Sequence, residues 1–157
     1  PLVDKWFGPG ASLRLWEKTK QVAGYSVQAN GMVKGVGYTS NGVDQVMSGE
    51  WSLGAANFLK IMATDSAYPA AVKSRLMEQA EFIAQSVQAE ITRKVHFSAE
   101  EAEGVLYANK RYLIPPELGG WWANALPSRA STAWAFLWEA QFNPLHLQGH
   151  FSGAYDL

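Results

Sequence analysis

The sequence contains no cysteine. Thiol nucleophiles, thiolate zinc sites and disulfides are thereby excluded, while the compartment stays open, because exported and cytosolic proteins alike can lack cysteine. Excess positive charge is missing too: 13 Lys and Arg stand against 14 Asp and Glu, a formal net charge of -1. A nucleic-acid binder that works by neutralising phosphates needs clustered cation, so nucleic acid is not an expected partner. No run approaches the roughly 18 uninterrupted apolar residues of a membrane-spanning helix, and no membrane span is expected. The nucleotide-binding glycine patterns are absent, since GMVKGVG lacks the Lys-Ser/Thr step and does not lead into a helix. Ser131 and Thr132 lack the context of a nucleophile elbow. His96, His146 and His150 include one pair at i, i+4, but Pro144 and Gly149 oppose a helix there and no HExxH exists. No metal and no cofactor are expected.

Aromatic residues are plentiful: 7 Trp, 6 Tyr and 7 Phe in 157 residues that are 48% hydrophobic. Such a chain has ample surface to bury and is not disordered; its length fits one domain, 1–157. Tryptophan favours places that are apolar on one side and wet on the other, so each indole is a candidate for core or for a binding surface. The chain begins at Pro1 without a signal-peptide pattern, which suggests a processed product or a piece of something longer.

Helical periodicity organises much of the chain. Ser12 stands as a cap before a short helix with Leu15, Trp16 and Lys20. A glycine-rich stretch with Gly24, Gly31, Gly35, Gly37 and Gly42 follows, read as a long loop with a short hairpin near Val33–Tyr38. Leu53, Ala56, Leu59, Met62 and Ala63 form one helical face. Leu76, Ala80, Ile83, Ala84, Val87 and Ile91 form another in a long helix that Pro69 can only enter at its first turn. The short connection between them predicts an antiparallel helical hairpin. Ser98 and Glu101 have capping-box spacing and predict a helix running to about Gly104 or Tyr107. Ser128 opens a last helix that must end before Pro144. The fold class expected is all-α, antiparallel helical hairpins with long loops.

Two constellations offer chemistry. In TSNGVDQVMSGEWS, Asp44 and Glu50 lie near one loop-to-helix junction. Glycoside hydrolysis needs such a pair, one carboxyl protonated as acid and the other ionised as base or nucleophile. Equally, Asp44 can make a turn and Glu50 can serve the helix dipole. In ANKRYLIPPELGGWWAN, Lys110 and Arg111 accompany Tyr112, Trp121 and Trp122. Indole and phenol faces suit the C–H faces of sugar rings, and Asn109, Lys110 and Arg111 suit hydroxyls or acidic substituents. The same rings can instead glue the loop to a core.

At SGEWSLGAANFLKIMA and at YANKRYLIPPELGGWWANALPSRASTAWAFLWEAQFNPL the sequence resembles the C-terminal part of bacterial carbohydrate-active enzymes built as an (α/α) toroid of helical hairpins, over about its last 120 residues. The resemblance implies the C-terminal portion of an (α/α)6 toroid, a sugar cleft formed by loops near Glu50, Trp51 and residues 109–122, and a periplasmic or secreted location. A complete toroid has about twelve helices, too many for this length, so the resemblance also implies a complementary N-terminal chain or a homo-oligomer covering an apolar face. The expected activity is hydrolysis of a polysaccharide or oligosaccharide with Glu50 and Asp44 as catalytic carboxyls. Trp51, Lys110, Arg111, Tyr112, Trp121 and Trp122 are the expected substrate contacts. A polysaccharide lyase using Tyr112, Lys110 or His96, a non-catalytic glycan-binding or subunit-assembly protein, and a peptide-binding module are the alternatives.

Overall fold

The computed structural model describes residues 3–39, 45–97 and 100–142. In chain order these form α1 (Asp4–Phe7), α2 (Ala11–Ala23), β1 (Gly24–Val27), β2 (Val33–Val36), α3 (Gly49–Thr64) and α4 (Ala70–Ile91). Then come β3 (Thr92–Phe97), β4 (Glu100–Val105), β5 (Tyr112–Leu113), a 3-10 turn at Pro116–Leu118, β6 (Trp122–Ala123) and α5 (Arg129–Glu139).

α3 is the spine. Its apolar stripe Leu53, Ala56, Leu59 and Met62 is buried, as the periodicity predicts. It packs chiefly on α4, whose Leu76, Ala80, Ile83, Val87 and Ile91 close the other side. Asp65–Pro69 connects the two as a tight antiparallel hairpin, with Pro69 just before the first helical residue, where its missing N–H costs nothing. α5 lies against the other side of α3 and begins at Ser128, whose hydroxyl accepts from the Ser131 N–H. The cap expected at Ser12 does not form: Gly10 precedes α2, and Ser12 is buried in its first turn.

The expectation of an all-α chain is wrong, and with it the portion of an (α/α)6 toroid. Three two-stranded antiparallel sheets stand among the helices: β1–β2, β3–β4 and β5–β6. The clearest departure is the helix predicted from Ser98. Glu101 lies instead in β4, paired with His96, and the register runs from Thr92↔Val105 to Phe97↔Glu100. Capping-box spacing describes a helix start only if the following residues offer an apolar face to bury. EEAEGV offers one only at its end, and Gly104 and Val105 are its buried residues. Its partner TRKVHF alternates side chains and carries β-branched Thr92 and Val95, which suit a pleated ladder.

A side chain takes the place of a neighbouring strand at the edge of β1–β2. The buried Gln79 amide of α4 accepts from the Val33 N–H at 3.0 Å and donates to the Val33 carbonyl at 2.8 Å. The hairpin thereby locks onto the helix face. The Ser52 hydroxyl of α3 does the same at Val36, accepting from its N–H at 2.8 Å and donating to its carbonyl at 3.2 Å. The glycine-rich stretch is thus not a loose loop. At Gly37 the backbone passes so close to the Val46 carbonyl that a Cβ would collide with it.

Among the described residues, no helix is long and apolar enough to cross a membrane.

Candidate functional site: an aromatic cluster at the start of a helix

Extended segments far apart in sequence meet beside the N-terminus of α3. The Ser48 N–H donates to Val36, the Gly49 N–H to Tyr107, the Asn109 N–H to Met47, and the Tyr107 and Ala108 N–H groups to Leu126 and Asn124. Isolated bridges Val36↔Ser48, Ser48↔Ala108 and Leu106↔Pro127 mark the same strip. Asn109 fastens it: its side-chain carbonyl accepts from the Met47 N–H at 2.9 Å, and its amide donates to the Gln45 carbonyl at 3.2 Å. The amide expected to meet sugar hydroxyls is therefore engaged with the protein's own backbone.

The strip gathers rings. Tyr38 is only 6% exposed and sits in a small core with Val46, Ala108, Ile114 and Ala123. The Trp51 ring lies 4.7 Å from it, Tyr107 stacks at 6.0 Å, and Trp121 meets it edge-on at 6.4 Å. Trp51 remains 44% and Trp121 38% exposed. Each therefore touches a buried phenol and has surface left for a ligand. The Trp121 indole N–H donates to the Tyr107 hydroxyl at 3.3 Å, which fixes its ring. Gly119, with φ +119°, lies under the same indole, where a Cβ would come within 2.6 Å of the ring.

Glu50 occupies the first turn of α3, directly before Trp51, and Ser48 caps that turn by accepting from the Trp51 N–H at 3.2 Å. Among the described residues Glu50 has no hydrogen-bond or ion-pair partner. Burial raises the Tyr38 phenol well above the usual tyrosine range. Its hydrogen bond with Ser48 acts against this, and the charges of Tyr107 and Glu50 add to the rise. The Glu50 charge thus reaches the cluster. Asp44, the other expected carboxyl, lies outside the described residues.

The remaining expected contacts divide over the two faces of the β5–β6 hairpin. Successive strand residues point to opposite sides. Tyr112 and Ala123 oppose each other and pack toward Tyr38, whereas Leu113 and Trp122 oppose each other on the exposed side. Arg111 lies over the Trp122 ring at 4.1 Å, and Trp122 is 49% exposed. Lys110 is exposed beside it. Trp51 and Trp121 are therefore brought together, and Arg111 and Trp122 are brought together, while the hairpin separates the two pairs. His96 sits on β3, 3.8 Å from Glu101. His146 and His150 lie outside the described residues. Among the described residues no three acidic or histidine side chains group as a metal site.

Tyr38 is the residue that sequence reasoning missed. Its only signal was a large ring directly after the close-packed GVG step, in a stretch read as loop. Clefts lie elsewhere: one of ≈ 380 Å³ beside Trp16 and Leu76, and one of ≈ 260 Å³ between α4 and α5. The ring cluster is a surface platform by comparison. No family model, no curated protein and no solved structure matches this chain.

Proposed function

We propose that the chain is carbohydrate-active, holding a polysaccharide or oligosaccharide on the Trp51–Trp121 platform. The observation that carries the reading is the pair of part-exposed indoles against buried Tyr38, next to Glu50, which has no hydrogen-bond or ion-pair partner among the described residues. A sugar presents a C–H face to stack on an indole and rim hydroxyls for polar neighbours, and rings fixed from behind bind with little ordering cost. In the hydrolytic form of the reading, Glu50 and Asp44 are the two carboxyls: one, protonated, gives its proton to the leaving glycosidic oxygen, while the other, ionised, takes a proton from the attacking water or itself attacks the anomeric carbon.

Fluorescence titration of the tryptophans with neutral and acidic oligosaccharides, followed by product analysis, tests it. Binding that weakens in Trp51→Ala, with turnover lost in Glu50→Gln, supports hydrolysis. Binding without any turnover by the unaltered chain supports the second reading, a non-catalytic glycan-binding protein. That reading draws on the ring contacts of Trp51 and Trp121 with Tyr38 alone, which need no carboxyl step. No binding to any saccharide sinks both.

A partner chain or second copy is part of the proposal, because Trp6, Phe7, Phe136 and Phe142 are exposed apolar side chains that such a partner would cover. Sedimentation at several concentrations checks it; a monomer throughout removes the self-associating form.

A further inference from the structure

We infer that the saccharide recognised here is an acidic one, and that Arg111 on Trp122, with Lys110 beside it, forms the subsite for its carboxylate. The inference rests on the carbohydrate reading above and narrows it to a substrate class. Arg111 sits 4.1 Å over the Trp122 ring. A guanidinium held over an indole at this distance keeps N–H groups for a forked, charge-assisted bond to an oxyanion. Stacking also holds the side chain still, so less freedom is lost when the anion arrives.

Among the described residues no carboxylate takes up those N–H groups. Among the described residues neither Arg111 nor Lys110 forms an ion pair, although Lys20, Lys34 and Lys94 each pair with a glutamate. Glu117, the acid within the same loop, is exposed and also unpaired among the described residues. Trp122 leaves about half its surface to solvent. The outer face of β5–β6 therefore combines an open apolar ring with a stacked guanidinium that has no ion-pair partner among the described residues. A neutral sugar would use the ring and leave the fork idle; a uronate sugar uses both. Trp51 and Trp121, on the other side of the hairpin, provide stacking that either kind of sugar can use.

The test compares oligogalacturonate with a cello-oligosaccharide of equal length, by tryptophan fluorescence at low and high salt, on the unaltered chain, Arg111→Gln and Arg111→Lys. The expected result is preferential uronan binding that weakens with salt. Arg111→Gln should lower uronan affinity about tenfold and leave the neutral oligomer nearly unchanged, with Arg111→Lys between them. Because Arg111 is exposed, all three should melt alike, which separates lost binding from lost folding. Equal affinity for the two oligomers, preference for the neutral one, or an equal effect of Arg111→Gln on both overturns the inference and leaves the carbohydrate reading standing. Failure of both oligomers to bind overturns the inference, and the carbohydrate reading falls with it only if the wider range of neutral and acidic saccharides also fails to bind.

Discussion

The ring of Trp51 rests 4.7 Å from that of Tyr38, the two planes inclined at 58°. Trp51 belongs to the first turn of α3 and Tyr38 to the chain just after β2, so this contact couples the helix start to the strip beside it. A tilted aromatic pair contributes about 1 kcal/mol beyond its area, and Tyr38 is buried besides. Tyr38→Ala should therefore cost about 3 kcal/mol in urea unfolding, whereas Tyr38→Phe, which gives up the hydroxyl's hydrogen bond to the Tyr107 carbonyl, should cost about 1 kcal/mol. Equal small losses for both would mean that the ring is not the support described.

Alkaline pH should weaken the fold. Tyr38 is raised above the ordinary 10.0, mainly by burial. Tyr25 and Tyr68 are raised from the same value, also mainly by burial, with the charges of Glu90 and Asp4 adding to it. The folded state thus favours the neutral phenols. Their contribution is complete below pH 10 and is lost progressively as pH climbs from there toward the folded-state values. Denaturation series between about pH 9 and 11 should show stability falling, and Tyr38→Phe should flatten the fall. An unchanged pH slope in that variant would contradict the assignment to Tyr38.

Gln79→Ala should be among the costlier single changes. It strips both partners from the Val33 backbone, where the residue is buried. Two unsatisfied groups and a vacated volume predict a loss of about 3 kcal/mol. Gln79→Glu keeps the shape but offers no donor to the Val33 carbonyl when ionised, so its defect should lessen as the solution is acidified. Thermal melts of the two variants across acid to neutral pH distinguish these outcomes.

Ser48→Ala removes the cap of α3 and should cost about 1 kcal/mol. Gly119→Ala places a methyl group against the Trp121 ring and forces a φ of +119° on a residue with a Cβ. It should shift the tryptophan emission and reduce saccharide binding more than it lowers the melting temperature. Unaltered emission and binding would show that the indole does not depend on the glycine beneath it.

The helical core was readable from spacing alone. Leu53, Leu59, Leu76, Ile83 and Ile91 recur at helical intervals, and a stripe of that length has few other ways to be buried. Ser128 was readable as a cap because an apolar helix follows it. The segment from Thr92 to Val105 misled for the opposite reason: Ser98 and Glu101 have the local chemistry of a helix start, but the pairing of His96 with Glu101 and of Thr92 with Val105 decides the outcome. The glycines were read as freedom, yet at Gly37 the missing side chain permits a close approach to Val46. For the site, the residue types pointed to Glu50 and to the indoles. Which indoles share a face did not follow, because that depends on the two-residue pleat of β5–β6. Asn109 looked like a donor for a ligand, and only the meeting of distant segments reveals that Met47 and Gln45 take up its amide.

Asn109 and Met47 are 62 positions apart, and both long helices lie between them. Until α3 and α4 have folded back on each other, the latch has nothing to close on and the tryptophans have no common floor. A nick in the Asp65–Pro69 connector, though at the opposite end of α3 from Trp51, should therefore disperse the platform. Aromatic order near Trp51 thus reports on whether the helical pair is intact.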